Sequence, residues 1–282
     1  MNTYETIDLN DYVQTGEGGT SLTYTHQTRH TMAKLFNLVN EAELAEREFL
    51  TARAVFEMGI PTPEPLRLVT DGERRGVEYE LIGNKRSFTR IISQEPERLE
   101  EISQAFARMV RELHTQKADT SRFTSVKERL RRFYQEKGDR VTEEYKERAL
   151  NFIDKSPDAD TCLHGDLHIG NIITDGRRNL WIDLGLFSYG EPEWDLGWMW
   201  TISNQIDGQR SDFLLHVNPA TLKAHWDIFL PTYLGTDDKA AIGEYTRRLM
   251  PYYAVRLPYM LDTLVQGRLP EDALQQLPKM IG

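Results

Sequence analysis

The chain has 282 residues, of which 39% are hydrophobic and 28% charged, enough apolar material for a sizeable globular core. Its formal net charge of −10 repels nucleic-acid phosphates, so nucleic acid is not an expected partner. The lone Cys162 excludes an intramolecular disulfide, no apolar run reaches the ~18 residues of a membrane span, and the acidic start MNTYETIDLND lacks a secretory pattern, so a cytoplasmic protein without a membrane partner is expected.

In chain order, Tyr12–Thr15 is a short β-prone run that meets Gly16-Glu17-Gly18-Gly19. SLTYTHQT (21–28) and TMAKLF (31–36) are strand candidates by their Thr, Tyr and apolar content. Glu41–Met58 has helical periodicity, with Leu44, Phe49, Ala52, Val55 and Phe56 as the expected apolar stripe and Gly59 ending it. Pro61, Pro63 and Pro65 impose an extended exit. Leu66–Thr70 and Gly76–Ile82 read as two strands joined through an Asp71-Gly72 turn. After Gly83 helices dominate: Glu97–His114, Phe123–Lys137 and Thr142–Lys155, then a helical, aromatic-rich region at 219–280 that Pro251 and Pro258 are expected to bend or break. Thr161–Leu163 and Leu180–Ile182 are short apolar strands flanking polar loops. The expected fold class is α+β, with a small antiparallel β lobe over residues 1–82 and a mostly helical lobe over 83–282.

The segment CLHGDLHIGNIIT (162–174) carries the strongest chemical signal. His164-Gly165-Asp166 is followed by Asn171, the acid-to-amide spacing of a phosphotransfer catalytic loop, and Asp183 follows in LWIDLG (180–185). A carboxylate at Asp166 accepts a hydroxyl proton, while the oxygens of Asn171 and Asp183 suit Mg²⁺. Each residue alone reads as an ordinary turn acid or core polar group; the ordered set points to phosphoryl transfer from ATP. Upstream, Gly16, Gly18, Gly19, Thr20 and Ser21 form a glycine-rich turn whose backbone N–H groups suit phosphate, although no GK[ST] follows. Lys34 is a strand lysine whose meaning depends on a partner; Glu48 suits the role, and Glu41, Glu43 and Glu46 compete with it.

These residues, with GIPTPEPL (59–66), VRELH (110–114), IDLG (182–185) and EPEWDLG (191–197), resemble the aminoglycoside phosphotransferase and choline kinase-like family, which shares the protein-kinase fold. The resemblance implies a bilobal protein-kinase-like fold, with residues 1–82 binding nucleotide and 83–282 carrying the catalytic loop, metal site and substrate pocket. It implies Asp166 as catalytic base and Asn171 and Asp183 as Mg²⁺ ligands. Lys34, paired with Glu48, would contact ATP phosphates, and the backbone of Glu80–Ile82 would read adenine, Glu80 and Ile82 bounding the hinge. Asp195 resembles an acid that braces the catalytic loop.

The expected substrate is a small molecule with a free hydroxyl, of cationic type such as an aminoglycoside or amino alcohol, or a sugar. Trp194, Trp198, Trp200, Trp226, Tyr252 and Tyr253 offer either cation–π faces or core packing. Glu191, Glu193 and Asp212 are either amine partners or solvated acids. The basic run KERLRR (127–132) reads as a solvated helix face. The alternatives are a nucleotide-binding pseudokinase and a Ser/Thr protein kinase.

Overall fold

Short runs of Thr, Tyr, Val and Leu near the N-terminus pair into a sheet, and longer amphipathic runs downstream wind into helices. The computed structural model describes residues 3–17, 20–37 and 41–281. The strands are β1 (Glu5–Thr6), β2 (Tyr12–Glu17), β3 (Ser21–His26), β4 (Thr31–Phe36), β5 (Pro65–Thr70), β6 (Arg75–Glu80), β7 (Arg86–Ser87), β8 (Cys162–Leu163), β9 (Ile172–Thr174), β10 (Asn179–Trp181) and β11 (Ser188–Tyr189). The helices are α1 (Glu41–Glu57), α2 (Phe88–Gln94), α3 (Leu99–Leu113), α4 (Val126–Glu136), α5 (Glu143–Lys155), α6 (Glu193–Asn204), α7 (Gly208–Leu215), α8 (Pro219–Leu234), α9 (Lys239–Val265), α10 (Glu271–Gln276) and α11 (Pro278–Ile281). The chain divides into two compact units, one of residues 1–88 with 170–186, the other of 89–169 with 187–282. The expected division after residue 82 left out the return of 170–186 to the first unit.

In the first unit a six-stranded sheet runs β1-β5-β6-β4-β3-β2. It is antiparallel except at β1, which pairs parallel with β5. β1, only two residues long, carries no periodicity from which a strand could be read. β4 lies inside the sheet, with Thr23 and Val77 flanking Lys34. On α1 the buried stripe is Ala45, Glu48, Ala52 and Val55, while Leu44, Phe49 and Phe56 are only half-buried. The true stripe is therefore turned from the expected one, and a glutamate lies in it. Residues 170–186 contribute β9 and β10, which pair with each other and, through β9, with β7. Ile173 and Leu180 pack there on Ile82. Thr62 Oγ1 donates to the Trp181 carbonyl at 2.8 Å, tying the proline-rich exit of α1 to this hairpin.

The second unit is helical. The expected single helix over Glu97–His114 starts instead as a 3₁₀ turn at Pro96–Arg98 and becomes α3 at Leu99. The larger departure is α9, which runs unbroken through Pro251 and Pro258. A proline removes the hydrogen bond to the carbonyl four residues earlier. For Pro258 that carbonyl belongs to Ala254, and the Tyr145 hydroxyl donates to it at 2.6 Å from α5. The neighbouring Val255 carbonyl accepts from the Tyr134 hydroxyl on α4 at 2.6 Å. Two buried tyrosines therefore satisfy the backbone where the proline disturbs it.

Candidate active site

In the first unit, strand alternation turns Lys34 to the face covered by α1, where the residue is 8% exposed. Lys34 Nζ donates to both carboxylate oxygens of Glu48, at 2.8 and 3.0 Å, and also contacts Asp183 Oδ1. Glu48 Oε1 further accepts from the Tyr79 hydroxyl at 2.9 Å. Burial alone would discharge the lysine, but the Asp183 and Glu48 carboxylates outweigh it and hold its pKa above the ordinary value. Among the competing acids, Glu43 is exposed and Glu46 half-buried, so helix phase selects Glu48. Asp183 has a φ of +59°, a left-handed conformation uncommon outside glycine. Its side chain is 46% exposed, which leaves room for a hydrated cation.

Asn171 is buried, and its carbonyl accepts from the Ile182 N–H at 3.1 Å, which brings residues 171 and 183 onto adjacent backbone. Carboxylate and amide oxygens are the hard donors Mg²⁺ takes, and Mg²⁺ commonly uses only one or two carboxylates with phosphates and water completing its shell. This donor set fits that ion. Of the glycine-rich turn, Gly16 lies within β2 at a register shift, Ser21 begins β3, and Thr20 sits between the sheet and the turn. Gly18 and Gly19 fall outside the described residues. At the expected hinge, the Glu80 and Leu81 N–H groups donate to the Glu64 and His30 carbonyls, both at 2.9 Å, and Ile82 is buried.

In the second unit, the loop after β8 carries His164, Gly165 and Asp166. Gly165 has a φ of +84°, which an L side chain adopts only with strain. The fully buried Asp195, in the first turn of α6, accepts the His164 N–H at 2.7 Å and the Gly165 N–H at 3.0 Å. The His114 imidazole lies between Asp195 Oδ2, at 3.3 Å, and the Tyr233 hydroxyl, at 2.9 Å. Burial opposes ionisation of Asp195, but the His114 hydrogen bond and the Arg256 charge prevail and hold its carboxyl below the usual range. Arg256, 2% exposed on α9, donates to the Trp194 carbonyl at 2.6 Å and to the Gly165 carbonyl. Asp166 Oδ1 accepts the Trp198 indole N–H at 2.7 Å, and its Oδ2 lies 3.9 Å from His168 Nε2.

Arg256 and the indole contact of Trp198 escaped the sequence reading, because neither sits in a motif with the loop it touches. The only available signal was a charged residue inside an apolar helical stretch at Arg256. Other candidates prove internally engaged. Glu193 accepts from Arg248 and from the Tyr245 hydroxyl, and Glu191 from the Tyr252 hydroxyl at 2.7 Å. Trp194, Trp198, Trp226, Tyr252 and Tyr253 are buried, and Trp200 is half-buried against Tyr253. In the basic run, Arg131 pairs with Asp154 and Arg132 with Glu128, while Lys127 is buried against the Ser156 carbonyl.

The sequence profile of the phosphotransferase enzyme family matches residues 12–227. No curated protein sequence matches the chain. Among solved structures, a thermostable mutant of aminoglycoside phosphotransferase APH(4)-Ia is similar, with a TM-score of 0.62 and 14% identity over 96% of this chain and 92% of that one. A choline/ethanolamine kinase family protein from Mesorhizobium loti gives a TM-score of 0.57 and 15% identity over 96% of this chain and 86% of that one. APH(2")-IIa in its streptomycin–ATP ternary complex gives 0.56 and 18% over 96% and 93%. The expected protein-kinase-like α+β fold is the one found.

Proposed function

This chain belongs to the phosphotransferase enzyme family, and from that premise we propose that it moves the γ-phosphate of ATP to a hydroxyl of a small molecule. The observation that carries the reading is Lys34, a buried ammonium aimed by Glu48 and touching Asp183, as a phosphate-binding lysine beside a metal-binding acid would be. In this reading Lys34 neutralises phosphate oxygens, and the backbone around Gly16, Thr20 and Ser21 covers them. The backbone of Glu80–Ile82 reads the base. Asn171 and Asp183 would hold Mg²⁺, which supplies charge neutralisation on the transferring phosphoryl group. Asp166 orients the acceptor hydroxyl and takes its proton. The hydroxyl oxygen bonds to the γ-phosphorus, the bond to the bridging oxygen breaks, and ADP leaves with that electron pair.

The negative net charge favours cationic acceptors, so amino alcohols and aminoglycosides lead the panel. The test is ATP consumption with that panel and with sugars, comparing wild type with Asp166→Ala. Turnover with at least one acceptor, reduced at least ~100-fold in the variant, is expected. An Asp166→Ala protein that turns over normally, or a wild type that leaves ATP untouched throughout, overturns the reading.

A further inference from the structure

We propose that Trp198 is a positioning residue for the transfer: its indole N–H fixes one oxygen of Asp166 so that the other is presented to the acceptor hydroxyl. The inference rests on the reading of Asp166 as the base. Trp198 is 5% exposed, and its Nε1 donates to Asp166 Oδ1 at 2.7 Å. It stands three residues after Asp195 on α6, so both side chains leave the same face of that helix. One helix face thus grips the loop twice, through the backbone N–H groups of His164 and Gly165 and through the carboxylate of Asp166.

The indole suits this task chemically. It is a donor only and does not titrate, so it neither competes for the proton in transit nor changes its role with pH. Donation to an ionised carboxylate makes a short, strong hydrogen bond, and it stops the carboxylate rotating. Transfer needs the receiving oxygen within hydrogen-bond reach of the hydroxyl as the phosphorus–oxygen bond forms. With Oδ1 committed to the indole, the proton passes to Oδ2, the oxygen on the His168 side.

Trp198→Phe keeps a buried aromatic ring and removes the N–H. The measurement is MgATP turnover with choline, ethanolamine, gentamicin or water as acceptor, using whichever the wild type uses fastest. A fall in kcat of about tenfold with an ATP KM within about twofold of wild type is expected. Wild-type kcat, or a rise in KM with kcat unchanged, overturns the positioning role. Asp166→Asn is run in parallel. If it retains wild-type kcat, the reading of Asp166 itself fails; if it is inactive while Trp198→Phe is unimpaired, only the present inference fails. Should Trp198→Phe not fold, the indole proton resonances of wild type and Asp166→Asn decide. One of the five tryptophan signals moving between them supports the contact, and five unmoved signals overturn it.

Discussion

Lys34 illustrates how a single buried charge depends on its company. Its ammonium is held between Glu48 and Asp183, and Glu48 has Tyr79 as a further donor. Lys34→Met leaves the buried Glu48 without its cation, so a stability loss of about 3–5 kcal/mol is expected along with loss of phosphotransfer. Glu48→Gln keeps shape and the contact with Tyr79. It should unfold at a temperature closer to wild type while its turnover still falls by ~10-fold or more, because the lysine is no longer aimed. Thermal denaturation and ATP turnover on the two variants separate these effects. Lys34 itself was visible in the sequence as a strand lysine. Its choice of Glu48 over Glu43 and Glu46 was not, since that choice depends on which face of α1 meets the sheet. The burial of Ala45, Ala52 and Val55 places Glu48 in that face.

At the scale of elements, His225 shows how packing sets a pH response. On α8 it is 1% exposed, packs against Phe106 and Phe229, and lies 2.8 Å from the Ser103 hydroxyl on α3. Burial pushes its pKa down to about 3. Well above pH ~6.5 neither folded nor unfolded chain protonates it, and its charge state contributes nothing. Below that value the unfolded chain binds a proton that the folded chain refuses, so stability falls until the pH approaches the folded value. At pH 5 the loss from this residue is about 2 kcal/mol. His225→Asn keeps a polar atom for Ser103 but does not titrate. Its Tm at pH 7.5 should be lower than wild type because ring packing is lost, yet its drop between pH 7.5 and 5 should be smaller. An equal drop in both proteins refutes the assignment. Elements with local signatures, such as β4 with its β-prone content and the helical run that becomes α5, were legible from local composition and pattern, while the Thr142 cap of α5 emerged only in the structure. The passage of α9 through Pro258 was not, because Tyr145, which completes the Ala254 carbonyl, lies 109 residues away.

For the whole molecule, the two compact units divide the candidate residues: Lys34, Glu48, Asn171 and Asp183 belong to one, Asp166, Asp195 and Trp198 to the other. A nucleotide that binds the folded chain stabilises it by mass action. MgATP at ~100 times its Kd should add about 2.7 kcal/mol, seen as a Tm rise of several degrees. Chelating the metal should remove most of that rise; an ATP-induced shift indifferent to chelation would count against Asn171 and Asp183 as ligands. The acidic net charge and the ordered motif were readable at this scale because they need no tertiary information. The return of 170–186 to the first unit was not, since it depends on pairing between β7 and β9, whose partners Ser87 and Ile173 are far apart in sequence.

Arg256 has a consequence for synthesis. The carbonyl of Gly165 is held by a guanidinium 91 residues further on, and its N–H by Asp195, 30 residues on. A chain emerging from the ribosome has translated every residue of the loop long before it has translated the residue that secures it. The loop at 164–166 thus completes these bonds only when α9 has been made, and a nascent chain that stops short of it carries the motif without the guanidinium that holds its Gly165 carbonyl.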